Sequence, residues 1–150
     1  MNLQKTISIA SKGFILLSAV SLFSVSVMAF SNPQSVMNLV QVQLNNTDAY
    51  SSIRGVYGGV GMSLVISLIY LMIMDVQKGL SFLCLLWGLY AVSRMITIVA
   101  DGALGAFGTQ WLVIESVYFT IAVSLLVLNK KYGTAKIKHR SFHTTKARVA

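Results

Sequence analysis

The sequence predicts an all-α polytopic membrane protein, a bundle of four transmembrane helices with both ends on the cytoplasmic side. Three observations carry that expectation. Hydrophobic residues make up 55% of the 150-residue chain and charged residues only 11%, with a mean hydropathy of +0.72; soluble domains carry about 25% charged residues. Four apolar runs approach or exceed the roughly 20 residues that a spanning helix needs, at residues 13–30, 52–74, 79–100 and 111–128. The basic residues are also one-sided: Lys5, Lys12, Lys78 and seven residues after Asn129 fall on one face of that topology, against Arg54 alone on the other and Arg94 within a span. The side rich in lysine and arginine is the cytoplasmic one.

The first span follows Lys5 and Lys12. Its basic start, serine-rich apolar stretch and Val27-Met28-Ala29 end also fit a cleavable signal peptide, but its length favours a retained helix. Asn32-Pro33 reads as a helix cap with proline at the first helical position. Val36, Leu39, Val40 and Leu44 then fall at helical spacing, predicting a surface helix over residues 33–44, although Val40 to Leu44 also alternates like a strand. Asn45-Asn46-Thr47 matches a glycosylation sequon, a pattern short enough to arise by chance. A cap at Thr47 or Asp48 opens the second span. Asp75 to Lys78 forms a tight turn, and residues 101–110, with three glycines, form a second loop. Trp111 and Tyr132 flank the fourth span as interfacial aromatics.

Residues 130–150 form a basic tail that the composition assigns to an irregular cytoplasmic segment, with Lys130, Lys131, Lys136, Lys138, Arg140, Lys146 and Arg148. It predicts a topology determinant and a contact with anionic lipid. It does not read as a nucleic-acid surface, because no aromatic residues interleave the charges in a way that would stack bases. His139 and His143 are too few ligands for a metal site. Cys84 is the lone cysteine, which excludes an internal disulfide and a two-thiol redox relay. No cofactor motif is present: Arg54-Gly55-Val56-Tyr57-Gly58-Gly59 lacks the lysine and the preceding strand of a phosphate loop.

The ionisable residues between the tails gather at one depth. Arg54 opens the second span and Asp101 closes the third. Arg94 lies about 10 Å below Asp101 at the helical rise, and Glu115 roughly 6 Å below Trp111. An unpaired charge in a span costs on the order of 2.5–3.5 kcal/mol, so Arg94 and Glu115 are expected to pair. Tyr90, Arg94, Thr97 and Asp101 recur on one helix face, which is expected to point inward toward Glu115, Arg54 and Tyr57. This polar cluster is either a staple between helices or a pocket for a small anionic or amphipathic ligand. Gly55, Gly59, Ser63 and Ser67 recur every four residues and predict a small-residue stripe for close helix packing.

Ile53-Arg54-Gly55-Val56-Tyr57-Gly58-Gly59, Ser93-Arg94, Asp101-Gly102, Glu115 and Pro33 together resemble a family of small bacterial four-helix membrane proteins catalogued as a domain of unknown function. The resemblance covers nearly all of residues 10–128 and implies the fold, with no activity or cofactor attached to it; the long basic tail goes beyond it. The expected function is that of a non-enzymatic structural or accessory protein of the bacterial inner membrane, acting through lipid, a membrane partner or a second copy. The alternative is a small-molecule or lipid-binding protein, or a transporter subunit, using the pocket around Arg94 and Glu115.

Overall fold

A computed structural model describes residues 3–146, with side chains through residue 132. The order is α1 (Leu3–Ser31), α2 (Pro33–Asn38), α3 (Thr47–Ile53), a π-helical segment (Arg54–Val60), α4 (Gly61–Met74), α5 (Val76–Asp101) and α6 (Ala106–Lys146). Because α3, the π segment and α4 run on as one rod, four helices among the described residues are long and apolar enough to cross a membrane. The side chains of His139, His143 and the basic residues beyond Tyr132 lie outside the described side chains. The short α2 and the loop after α5 share the end of the bundle away from Leu3 and Lys146, called here the distal end; the Asp75 turn lies at the proximal end.

The first span lies against all three others, whereas α5 and α6 form a closely packed hairpin. The first span is able to do this because of its serines. Ser11, Ser18 and Ser26 are fully buried, and small residues let helix backbones approach closely in lipid. Ser11 and Ser26 return their hydroxyl hydrogens to carbonyls four residues back, at 2.8 and 2.9 Å, so no polar group is left bare in an apolar medium. Ser11 also accepts from Asn129 Nδ2 at 2.6 Å, and Ser18 accepts from the Trp87 indole at 3.3 Å. Around these bonds pack Phe14, Ile15, Leu68, Leu80, Leu83, Trp87 and Ala122. Many large apolar side chains, among them Ile66, Ile73, Leu85, Leu89 and Val99, are exposed on the outward faces, where lipid would meet them.

Several boundaries differ from the sequence-based expectation. The surface helix is only residues 33–38, capped by Asn32, whose side chain accepts from Gln34 N at 3.1 Å. The Gln34 carboxamide then holds the chain in a reversal: Nε2 donates to Asn38 Oδ1 and Val42 O, and Oε1 accepts from Leu44 N, all within 2.9 Å. Gln41, at φ 59°, sits in the left-handed region where the reversal occurs. The second span is capped by Asn46, before the Thr47 or Asp48 expected, and the Asn46 side chain accepts from Ala49 N at 2.8 Å. At the far end of the chain, α6 continues through Lys146, so helix covers most of the segment expected to be irregular. Lysine and arginine are good helix formers, and extending an existing helix avoids the cost of nucleation.

The glycine-serine stripe does not pack as predicted. A side-chain carbon at Gly55 or Gly59 would meet nothing within 4 Å, and Ser63 and Ser67 are exposed. The close approach falls one face away. Gly58 lies under the Phe30 ring, where an added carbon would sit 2.8 Å from it, and Gly61 lies against Ser26. The four-residue recurrence located small residues on the rod, but the serine seam of α1 decides which of them it meets.

Candidate functional site

The site lies in the distal half, where the spans diverge. The π segment packs chiefly on α1 and α4, and makes no extensive contact with α5 or α6 among the described residues. A cavity of about 230 Å³ occupies the space between them. Its walls come from Leu22 and Val25 of α1, Tyr57 of the π segment, Trp87 and Tyr90 of α5, and Phe107 and Trp111 of α6. Val36, Met37, Leu39 and Val40 close the distal side, and Val36 and Met37 are themselves seated on Ala29, Leu44 and Ile53.

Arg94 and Glu115 form the polar end of this space. The Arg94 Nε–H donates to Glu115 Oε2 at 2.7 Å and Nη2–H donates to Oε1 at 2.8 Å. Two parallel charge-assisted bonds of this kind are both strong and directional. Glu115 is 2% exposed and Arg94 22%. The pair joins α5 to α6, and its charges cancel where neither alone would be tolerated.

Trp87 marks the floor of the cavity. On one side its ring packs on Tyr118 at 4.9 Å and its N–H reaches Ser18. On the other it meets Tyr90 at 6.0 Å along the cavity wall. Tyr57 reaches the cavity from the π segment. An i→i+5 segment of this type interrupts the regular helical register, and such segments recur at functional sites.

Of the six residues expected to form the polar cluster, Tyr57, Tyr90, Arg94 and Glu115 come together here. The other two do not. Arg54 is exposed and donates through Nε to Phe30 O at 3.3 Å, joining the second span to the end of the first. Asp101 is exposed at the end of α5, with no ion pair among the described residues. Matching depth placed all four charges together, but Arg54 and Asp101 are exposed at the ends of their helices and do not join the pair. Trp87, Phe107 and the closing segment were missed, and Trp111 was read only as an interfacial aromatic. Trp87 was within reach, since Trp87, Tyr90 and Arg94 follow i, i+3, i+7 spacing on one face. Val36 to Val40 carried no such signal, because their position depends on the Gln34 reversal. Among the described residues, no group of three His, Cys, Asp or Glu side chains converges on a metal-sized space.

Residues 10–126 match the family described as Domain of unknown function (DUF4345), and the chain belongs to that family. No curated protein and no solved structure matches it.

Proposed function

We propose that the chain is a non-enzymatic protein of the bacterial inner membrane that holds a small amphipathic molecule in the distal half of its bundle. The observation that supports this reading is a hollow whose walls are apolar and whose one polar end is the Arg94–Glu115 pair. Protein interiors are close-packed, and an unfilled space forfeits contacts along its whole lining. A pair serving only to staple α5 to α6 would have no need of such a space beside it. Apolar walls with a few convergent polar groups are the usual make-up of a small-molecule site. The staple and the site are then one device, with the pair fixing the walls and presenting the polar end.

The excess of basic residues at the proximal end supports a cytoplasmic location for both chain ends, and so opens the distal half toward the outer leaflet. The lysines and arginines after Asn129 favour contact with anionic lipid, at about 1 kcal/mol for each residue near the surface. Native mass spectrometry of the purified chain tests the binding reading. Replacing the pair jointly, Arg94→Met with Glu115→Leu, removes the polar end while leaving no buried charge, an exchange that proteins often tolerate. The wild type is expected to carry an amphipathic adduct that the folded double variant lacks. Identical adducts on both, or none on either, would remove the basis for a binding role.

A further inference from the structure

The chemistry of the polar end narrows what such a site can hold. This step rests on the binding reading above. Among the described residues, Arg94 and Glu115 are the only two lining the cavity that carry a full charge, and together they sum to zero. Arg54 and Asp101, either of which would have supplied a third charge, are not in the lining. A guanidinium has five N–H groups, of which Glu115 takes two. Three remain on a side chain that is 22% exposed, whereas the carboxylate that could accept from a ligand is 2% exposed.

Most other polar side chains in the lining add to the same bias; Ser21, which spends its hydroxyl hydrogen on Leu17 O at 3.0 Å, does not. The Tyr57 and Tyr90 hydroxyls and the Trp111 indole N–H have no hydrogen-bond partner among the described residues. Trp87 is committed to Ser18. The cavity therefore offers an excess of donors and no net charge. An anionic head would leave the assembly with an uncompensated negative charge in a poorly solvated space, which is strongly disfavoured. A cationic head would lie against the guanidinium, and the carboxylate beside it is too buried to offset the repulsion. An uncharged acceptor meets the free N–H and O–H groups and alters no charge balance.

We infer that the site selects an uncharged amphipathic molecule whose head accepts hydrogen bonds, such as an ester, ketone or ether, and discriminates against anions and cations with the same tail. The volume of about 230 Å³ lies below the range of about 300–1,000 Å³ common for drug-sized ligands. That suits a short molecule or the uncharged head of a neutral lipid.

Both tryptophans of the chain, Trp87 and Trp111, line the cavity, so their fluorescence reports its occupancy. The full chain in lipid nanodiscs is titrated with methyl bromodecanoate, bromodecanoate, bromodecyltrimethylammonium and bromodecane at about pH 9, where free bromodecanoate is ionised. Bromine quenches indole at short range, and displacement by unlabelled methyl decanoate separates site binding from partition into the bilayer. The ester is expected to quench saturably, at least about tenfold more tightly than either charged analogue or the bare bromoalkane. In Glu115→Gln, which leaves the Arg94 charge uncompensated, preference is expected to pass to the carboxylate.

The outcomes separate the two claims. Saturable binding in which a charged analogue or bromodecane equals the ester would leave the site standing and overturn its selectivity. An unchanged preference in folded Glu115→Gln would do the same; should that variant not fold, the wild-type series decides. Absence of saturable quenching by every analogue would remove the binding reading and this inference with it. Displacement of the ester probe by dioleoylglycerol upholds the inference with a lipid source, and displacement by methyl decanoate alone upholds it with a free small molecule.

Discussion

The two halves of the bundle are held in different ways. In the proximal half, Ile15, Leu68, Leu80 and Leu83 are fully buried, and the Asn129–Ser11 bond closes the helix ends over them. Cohesion there is spread over many contacts, each small. In the distal half the spans part around a cavity, and the main polar link between α5 and α6 is a single bidentate ion pair. Trp87 sits at the boundary, part of the apolar core on one side and of the cavity lining on the other. A packed half and a hollow half thus follow one another along the bundle axis, with four spans running through both.

That contrast assigns the largest effect of a single substitution to the sparser half. Arg94→Met strands the Glu115 carboxylate at 2% exposure, and breaking a buried pair in this way costs about 3–5 kcal/mol. Joint replacement with Glu115→Leu is expected to recover most of that loss. Unfolding titrations in mixed micelles measure both, and a single variant as stable as the double would mean that the pair is solvated. In the proximal half, Leu83→Ala is expected to cost about 2–5 kcal/mol through the cavity it leaves. Val40→Ala, in the cavity lining and already half exposed, should lie within about 0.5 kcal/mol of the wild type. Equal costs at Leu83 and Val40 would erase the distinction between packed and hollow halves.

A finer comparison separates the two faces of the glycine-rich rod. Gly61→Val drives a side chain into Ser26 on α1 and disturbs its bond to Leu22 O, with overpacking expected to cost about 1–3 kcal/mol. Gly59→Ala meets open space and is expected to be neutral or stabilising by up to about 1 kcal/mol, since alanine loses less backbone freedom on folding. The same titrations decide it. A loss at Gly59 equal to that at Gly61 would restore the stripe read from the sequence.

These faces also show what the sequence could and could not convey. Span number and the Arg94–Glu115 pairing were legible, because hydropathy reports which residues enter the membrane and helical rise reports how deeply. Rotation about each axis was not. Arg54 shares the depth of the pair but is exposed outside the cavity, and Gly59 shares the spacing of a packing stripe but meets open space. Only the serine seam of α1 and the π segment set those angles, and neither has a sharp local signature. The closing segment was hidden for another reason. Residues 40–44 alternate like a strand and also fit a helix, and the reversal they adopt depends on three bonds made by Gln34, whose partners lie four to ten residues away.

The smallest expected effect lies at the proximal turn, where α4 passes into α5. Asp75 caps α5, its Oδ1 accepting from Gln77 N and Lys78 N at 3.1 Å each, with the Lys78 ammonium 3.5 Å away. The backbone bond from Lys78 leads in holding its carboxyl below the ordinary aspartate range, against the opposing effect of desolvation and with further help from the Lys78 charge. A carboxyl whose folded value is depressed contributes stability that is fully present above its unfolded value and is lost as pH falls through the folded one. The group is solvent-exposed and the Lys78 contribution is screened, so the contribution is modest. Asp75→Ala removes it at every pH. Thermal midpoints of the wild type and this variant are expected to differ at neutral pH and to converge below about pH 4. Since every other titrating group is common to both chains, their difference isolates the cap; curves that stay parallel into acid would show that Asp75 holds the turn by shape and not by charge.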